Sequence, residues 1–285
     1  MNFTEKHKNL IYDVGMHHGQ DTDYYLKRGY RVIGFEANPD NAEICRRRFA
    51  AAIDAGQLIV VEGAISENIS QNGSVARIKF FRNKDHSFWG SSAGDWAYRN
   101  EVMGTSNEII EVDAVDLKES FRRYGIPFYL KADIVGSETI CLRALLDFDT
   151  KPDYLSIRSE KVIFSRLAEE IELFEQLGYD RFQAVQQDFT DFKFEFASAA
   201  GEKIVHTFEE GASGIFGEDL RGKWKTKELI LRDYRKIFTL YWLFGDYSYL
   251  IQTEKGKKFI TQLERIVKRP LPGWYDTHAK HSSTK

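Results

Sequence analysis

The chain has 285 residues, 42% of them hydrophobic, 14% aromatic and 29% charged, with a formal net charge of -3. That composition supports one large α/β domain with additions and excludes a disordered chain. The start, MNFTEKHKNL, is too polar for a signal peptide, and no stretch approaches the ~18 uninterrupted apolar residues of a spanning helix, so a cytoplasmic protein without a membrane partner is expected.

Asn9 to Val14 reads as a strand whose apolar run, Leu10 to Tyr12, reaches an acid, Asp13, and then a loop with Gly15 and Gly19. A helix near Asp21 to Arg28 follows, and Arg31 to Glu36 is a second strand ending on Glu36. The glycines stand where the backbone of a β-loop-α-β unit turns and lets a ligand approach. An acid ending the second strand of such a unit takes ribose hydroxyls, so an adenosine cofactor is predicted. A dinucleotide site wants G-x-G-x-x-G against a pyrophosphate. Here Asp13 and Val14 replace its first glycine and spacer, and a carboxylate at the loop entrance repels phosphate but suits a ligand with an ammonium and a sulfonium. S-adenosylmethionine is such a ligand, the alternative being that Asp13 merely caps the turn and Gly15 and Gly19 are ordinary turn glycines.

Further along, Asn38 is a credible N-cap with Pro39 at the first position of a helix from Asp40 to Ala55. Gln57 to Glu62 is a third strand, Val75 to Phe81 an antiparallel insertion, and His86 to Asp95 a loop rich in Ser, Gly and aromatics. Ile109 to Val112, Phe128 to Ile134 and Tyr154 to Arg158 read as strands, with helices over Asp116 to Tyr124 and Glu138 to Leu146. The alternation predicts a doubly wound, mainly parallel sheet. Beyond Gln187 the pattern turns irregular, then helical over Lys227 to Phe244, with Leu229, Ile230, Tyr234, Ile237, Phe238, Tyr241 and Trp242 along one face.

Residues 221–285 carry 15 Lys and Arg against 6 Asp and Glu. Interleaved aromatics favour docking of this basic, helical C-terminal extension on the acidic body, or a homodimer formed through it, with no nucleic-acid partner. The expected division is residues 1–210 as the cofactor-binding domain and 211–285 as the extension. Cys45 and Cys141 lack C-x-x-C spacing and are read as reduced and structural.

The stretch DVGMHHGQDTDYYLKRGYRVIGFEANP resembles the opening motif of the FkbM family of S-adenosylmethionine-dependent methyltransferases. Val61 to Ser66 (VEGAIS), Phe128 to Glu138 (FYLKADIVGSE), PDYLSI and Leu177-Gly178-Tyr179 follow in the family's order. The resemblance implies a Rossmann-like class I methyltransferase fold and O-methylation of a small hydroxylated acceptor such as a sugar or secondary metabolite. It carries Asp13, Gly15, Gly19 and Glu36 over as cofactor residues, and places Glu62 and Ala64 near the adenine, Ala64 being the likelier neighbour of the ring. Two departures stand out: Val135 replaces an acid of a D-x-E-G-x-E-like signature, and Arg158 follows PDYLSI where an acid is usual. They motivate a second reading, a non-catalytic scaffold. A nicotinamide-dependent oxidoreductase is a distant third, because the third glycine is missing.

Asp133, closing the strand FYLKAD, is the candidate general base, its alternative being a cap for the helix after Ser137. Lys131, two residues earlier on the same side of the strand, holds Asp133 ionised or binds an anion, unless it is a strand-end residue reaching solvent. His86, Ser91 and Ser92, in the aromatic loop, are substrate-contact candidates. His17 and His18 have no third ligand at metal spacing, so no metal is expected. Asp276 and His278 reach the site only if the C-terminal segment folds back.

Overall fold

Apolar runs bounded by glycine and polar clusters form seven central strands. The protein is described from a computed structural model, covering residues 5–71, 74–187, 192–198, 201–245, 248–267 and 271–284. The strands are β1 (Lys6–Val14), β2 (Arg31–Glu36), β3 (Leu58–Glu62), β4 (Ile126–Ala132), β5 (Tyr154–Arg158), β6 (Tyr179–Gln186) and β7 (Tyr275–His281). Their order is β3-β2-β1-β4-β5-β7-β6, with β7 antiparallel to both neighbours and β1 to β5 parallel. The chain therefore has the expected doubly wound, mainly parallel, Rossmann-like sheet with a helical C-terminal part.

Tyr12, Val14, Leu130 and Leu155 pack in the main core on one face of the sheet. Ile11, Tyr129 and Tyr154 lie on the other, under Phe216. The helix expected from Asp40 to Ala55 is two, Pro39–Arg48 and Ala50–Asp54. They break at Phe49 (φ -114°, ψ 26°), whose ring packs inward against Gly19. Asn38 caps the first through a bond from the Asp40 N–H. The expected antiparallel insertion is Arg77–Asn83 paired with Asn107–Val115.

Sequence pattern missed several features, among them the helix Phe164–Gln176 and strand β6 that follow β5. After Gln187, residues 188–191 lie outside the described residues, but Phe192–Ala197 and Lys203–Phe208 form a hairpin and not an irregular stretch. The loop around His86 runs into a helix at Gly94–Val102. Strand β7, YDTHAKH, has no apolar-polar alternation, because its central place buries Asp276, Thr277 and His278 along with Ala279. The helix Lys227–Phe244 forms with the expected bounds, yet its buried face is narrower than expected. Ile230, Tyr234 and Ile237 are buried, whereas Leu229 is 39% and Trp242 77% exposed. The Tyr234 hydroxyl contacts Ser159 Oγ and Thr277 Oγ1, each at 2.6 Å, which fastens this helix to the ends of β5 and β7.

Removing residues 274–285 takes a strand from between β5 and β6 and leaves two ladders unpaired inside the sheet. A chain ended after Gly273 is expected to lose cooperative thermal melting, followed by circular dichroism, and to aggregate on size exclusion. A soluble monomer that melts as the full chain does would show β7 to be dispensable.

Candidate functional site

The loop after β1 is held by backbone. The N–H groups of Gly15 and Met16 both donate to the Phe35 carbonyl, at 2.9 and 3.0 Å. Gly15 has φ 82°, and a Cβ there would stand 2.1 Å from the Asp133 carbonyl oxygen. Gly19 has φ 80° and opens the Gln20–Lys27 helix, where a Cβ would meet the Phe49 ring at 2.3 Å. Both glycines are thus required by chain-to-chain approach. Only Gly15 borders the cavity that the loop helps to enclose.

Asp13 is not at the loop entrance, as the sequence suggested. It is fully buried, accepts from Thr22 Oγ1 at 2.7 Å and from Lys131 Nζ at 3.1 Å, and does not line the cavity. Of the two carboxylates on Lys131, the one that does line it is Asp21, also 3.1 Å from Lys131 Nζ and accepting from the Ser213 and Gly214 N–H groups at 2.9 Å each. Lys131 therefore does not reach solvent as a strand-end lysine would. Burial opposes its charge, but Asp13, Asp21 and Asp133 outweigh that and hold its pKa above the ordinary lysine value.

The cavity holds about 880 Å³ of space free of protein atoms, part of it open to solvent. Glu36 sits in its wall, accepting from the His17 N–H at 2.8 Å, the Asn38 N–H at 2.9 Å and Asn41 Nδ2 at 3.4 Å. A carboxylate has about four acceptor positions, so capacity for one strong ligand bond remains. Burial pushes its pKa up to about 7 against the pull of those donors. Ala64, with Phe80 beside it, forms an apolar wall. Glu62 lies outside the cavity lining, its carboxylate paired with Arg46 at 2.8 Å.

His17 is a lining residue that sequence reasoning considered only as a metal ligand. Its backbone has φ 50°, held by the bond to Glu36 and by Cys45 Sγ donating to its carbonyl. Its ring stacks between His18 and Phe88, centroids at 3.8 and 4.0 Å. Nδ1 faces Gln20 Nε2 at 3.2 Å, and Nε2 is buried without a partner. Burial, with His18 and Lys131, takes its pKa down to about 4 despite Gln20 and Asp133, so the ring is neutral at pH 7. Among the described residues no group of three His, Cys, Asp or Glu is arranged to hold a metal. One carboxylate with acceptor capacity, an apolar wall and an unpartnered ring nitrogen fit an adenosine cofactor.

The cavity meets a second, larger one at Phe88, Val135, Arg158 and Gly211. Asp133 does not cap the helix after Ser137. It pairs with Arg158, Oδ1 to Nε at 2.7 Å and Oδ2 to Nη2 at 3.2 Å. Burial pushes the Asp133 carboxyl up, but Arg158 and then Lys131 outweigh it and hold it below the usual carboxylate range. Val135 has φ 34°, a conformation costly for a β-branched residue. Its carbonyl is held by Ser91 Oγ at 2.6 Å. Ser91 is thus buried and holds the wall, and does not face the cavity, whereas Ser92 lines the first cavity and His86 the second. The second cavity is also lined by Trp89, Trp96, Tyr241 and Trp274. Asp276 does come near: β7 folds back so that Asp276 lies across from Arg158. His278, two residues on, is buried deeper in the sheet, opposite Ser156.

A family model described as the Methyltransferase FkbM domain matches residues 13–181. Among solved structures, a precorrin-6y C5,15-methyltransferase from Geobacter metallireducens is 10% identical (TM-score 0.35), over 72% of this chain and 82% of that one. A SAM-dependent methyltransferase from Geobacter sulfurreducens, in complex with S-adenosyl-L-homocysteine, is 11% identical (TM-score 0.34), over 97% and 86%. No curated protein matches the chain.

Lys131→Met strands two buried carboxylates, so it is expected to cost about 3–5 kcal/mol in urea denaturation. Asp21→Asn in that background should recover part of the loss. A single variant within ~1 kcal/mol of the parent would show the buried cluster to be uncoupled from folding.

Proposed function

The chain belongs to the family of the Methyltransferase FkbM domain, and from that premise we propose that it moves the methyl group of S-adenosylmethionine to a hydroxyl of a small acceptor, such as a sugar or secondary metabolite. The observation that carries this reading is the junction of the two cavities. The first has Glu36, Ala64 and the Gly15 loop in its wall, the second is walled by aromatics, and Arg158 belongs to both.

In this reading Glu36 accepts a ribose hydroxyl, Ala64 and Phe80 flank the adenine, and the His17 ring nitrogen meets a polar atom of the cofactor. When bound, the cofactor supplies an electrophilic methyl on a sulfonium. The aromatic annex holds the acceptor by its ring faces, and alignment of its hydroxyl supplies much of the rate. Asp133 accepts that hydroxyl's hydrogen bond and then its proton. A carboxylate held well ionised is a weak base, so it orients more than it drives, and its contribution falls at the lower end of the ~10²–10⁴ range for such groups. Lys131, committed to Asp13 and Asp21, acts on Asp133 through its charge alone.

S-adenosylhomocysteine is expected to bind with a Kd on the order of micromolar, and Glu36→Ala to weaken it by ~1.5–3 kcal/mol. Because the Glu36 carboxyl is pushed up to about 7, its ionised fraction grows between pH 6 and 8. Affinity measured by calorimetry should rise across that window and become flat in Glu36→Gln. No heat with this ligand, alongside clear binding of NAD, would overturn the reading. Cofactor binding with no methyl release from labelled cofactor across a panel of hydroxylated acceptors would make the chain a scaffold. On an identified acceptor, Asp133→Asn should lower turnover by about 10²-fold, and near-normal turnover would remove Asp133 from the base role.

A further inference from the structure

Arg158 stands between two carboxylates. Asp133 holds it from just beyond β4, through contacts of 2.7 and 3.2 Å. The second is Asp276, the direct cross-strand partner of Arg158 on antiparallel β7, with the two Cβ atoms about 5 Å apart in such a pair. Because β7 runs against the parallel strands, its beginning lies at their C-terminal edge, where ligands of open α/β sheets sit. Asp276 is 2% exposed. Its Oδ2 accepts from Gln187 Nε2 at 3.0 Å, and the Ser213 side chain adds a weaker contact to the carboxylate, whose Oδ1 is buried. A buried carboxylate with so few donors is costly unless the group is protonated or draws the neighbouring guanidinium toward it.

We propose that Asp276 is a positioning residue that shares the Arg158 guanidinium with Asp133 and so sets how firmly Asp133 is held. The inference rests on the reading of Asp133 as the group that receives the acceptor's proton. With Asp276 protonated, Arg158 belongs to Asp133, the arrangement observed. With Asp276 ionised, one guanidinium serves two carboxylates, and Asp133 is loosened toward the cavity junction to take a hydrogen bond from an acceptor hydroxyl.

The groups bearing on Asp276 come from every element around it. They are Arg158 on β5, Asp133 and Lys131 on and after β4, Gln187 after β6 and Ser213 in the covering segment. Tyr234 and Glu138 belong to the same buried neighbourhood, since Asp276 acts on Tyr234 and Glu138 acts on Arg158. Burial first, then the charge of Asp133, pushes the Asp276 carboxyl up to about 8 even against Arg158. Asp133 is held low by the same guanidinium. Two carboxyls on one cation with opposite displacements are the pattern of a coupled pair.

The test is carbon-13 NMR of the full chain with aspartate labelled at the side-chain carboxyl, titrated from pH 3 to 9 (on the order of both groups' ranges), with signals assigned by Asp133→Asn and Asp276→Asn. The Asp133 signal is expected to show two inflections, its own low one and a second where Asp276 titrates. The second should vanish in Asp276→Asn and return in Asp276→Glu. An Asp133 signal with no inflection where Asp276 titrates in the parent protein overturns the proposal, and it does so even if the Asn variant fails to fold. Calorimetry with S-adenosylhomocysteine on the same samples keeps the two readings apart. Ligand binding without the second inflection removes the shared guanidinium alone, whereas the second inflection without ligand binding removes the methyltransferase reading alone.

Discussion

One buried ammonium organises the site. Lys131 Nζ, 3.1 Å from both Asp13 and Asp21, joins β4 to β1 and to the first helix. Asp21 in turn accepts the N–H groups of Ser213 and Gly214, so the segment that covers this face of the sheet is fastened to the same charge. Desolvating three charges costs several kcal/mol each and is offset only when geometry and further hydrogen bonds are complete. Here they nearly are: Asp13 has Thr22, Asp21 has two backbone donors, and Lys131 has both carboxylates. The return is positional, because residues from 13 to 214 are brought to one point under the Gly15 loop.

The cluster belongs to a wider arrangement. Cross-strand register places Asp13, Lys131, Ser156, His278 and Gln183 in one row across five strands, all buried. The row before it on that face, Ile11, Tyr129 and Tyr154, is largely apolar and packs under Phe216. The row after it holds Arg158 and Asp276. One face of one sheet therefore changes from hydrophobic core to polar site over about three residues per strand, and the ligand edge is where the polar end emerges.

How far the sequence was legible follows from this gradient. Where one face is apolar and elements are local, pattern sufficed: Arg31–Glu36, Asn38 as a cap, the Asp116-capped helix and Lys227–Phe244 form as expected. Glu36, Ala64 and Gly15 were found as cavity residues by motif, because their local chain geometry puts them there. What pattern missed is non-local. Strand β7 buries its polar residues only because it inserts between β5 and β6, and nothing in YDTHAKH announces that. Asp13 looked like a ligand group because its partner Lys131 lies 118 residues away. His17 was weighed only as a metal ligand and set aside, and only the fold reveals its ring wedged between His18 and Phe88.

The two departures from the family pattern are best weighed together with the backbone. Val135 and His17 are the two non-glycine residues with positive φ among those described, and both border the cavity. Conformations of that kind cost about 1–3 kcal/mol and persist where surroundings over-determine them, characteristically at ligand sites. Val135 is held by Ser91, and His17 by Glu36 and Cys45. Arg158 is likewise not a stray substitution, because Asp133 and Asp276 are arranged around it from two strands. Strain and buried charge therefore meet where the two cavities join, and each is fixed by partners from elsewhere in the fold: Val135 by Ser91, and Arg158 by Asp133 and by the strand that carries Asp276.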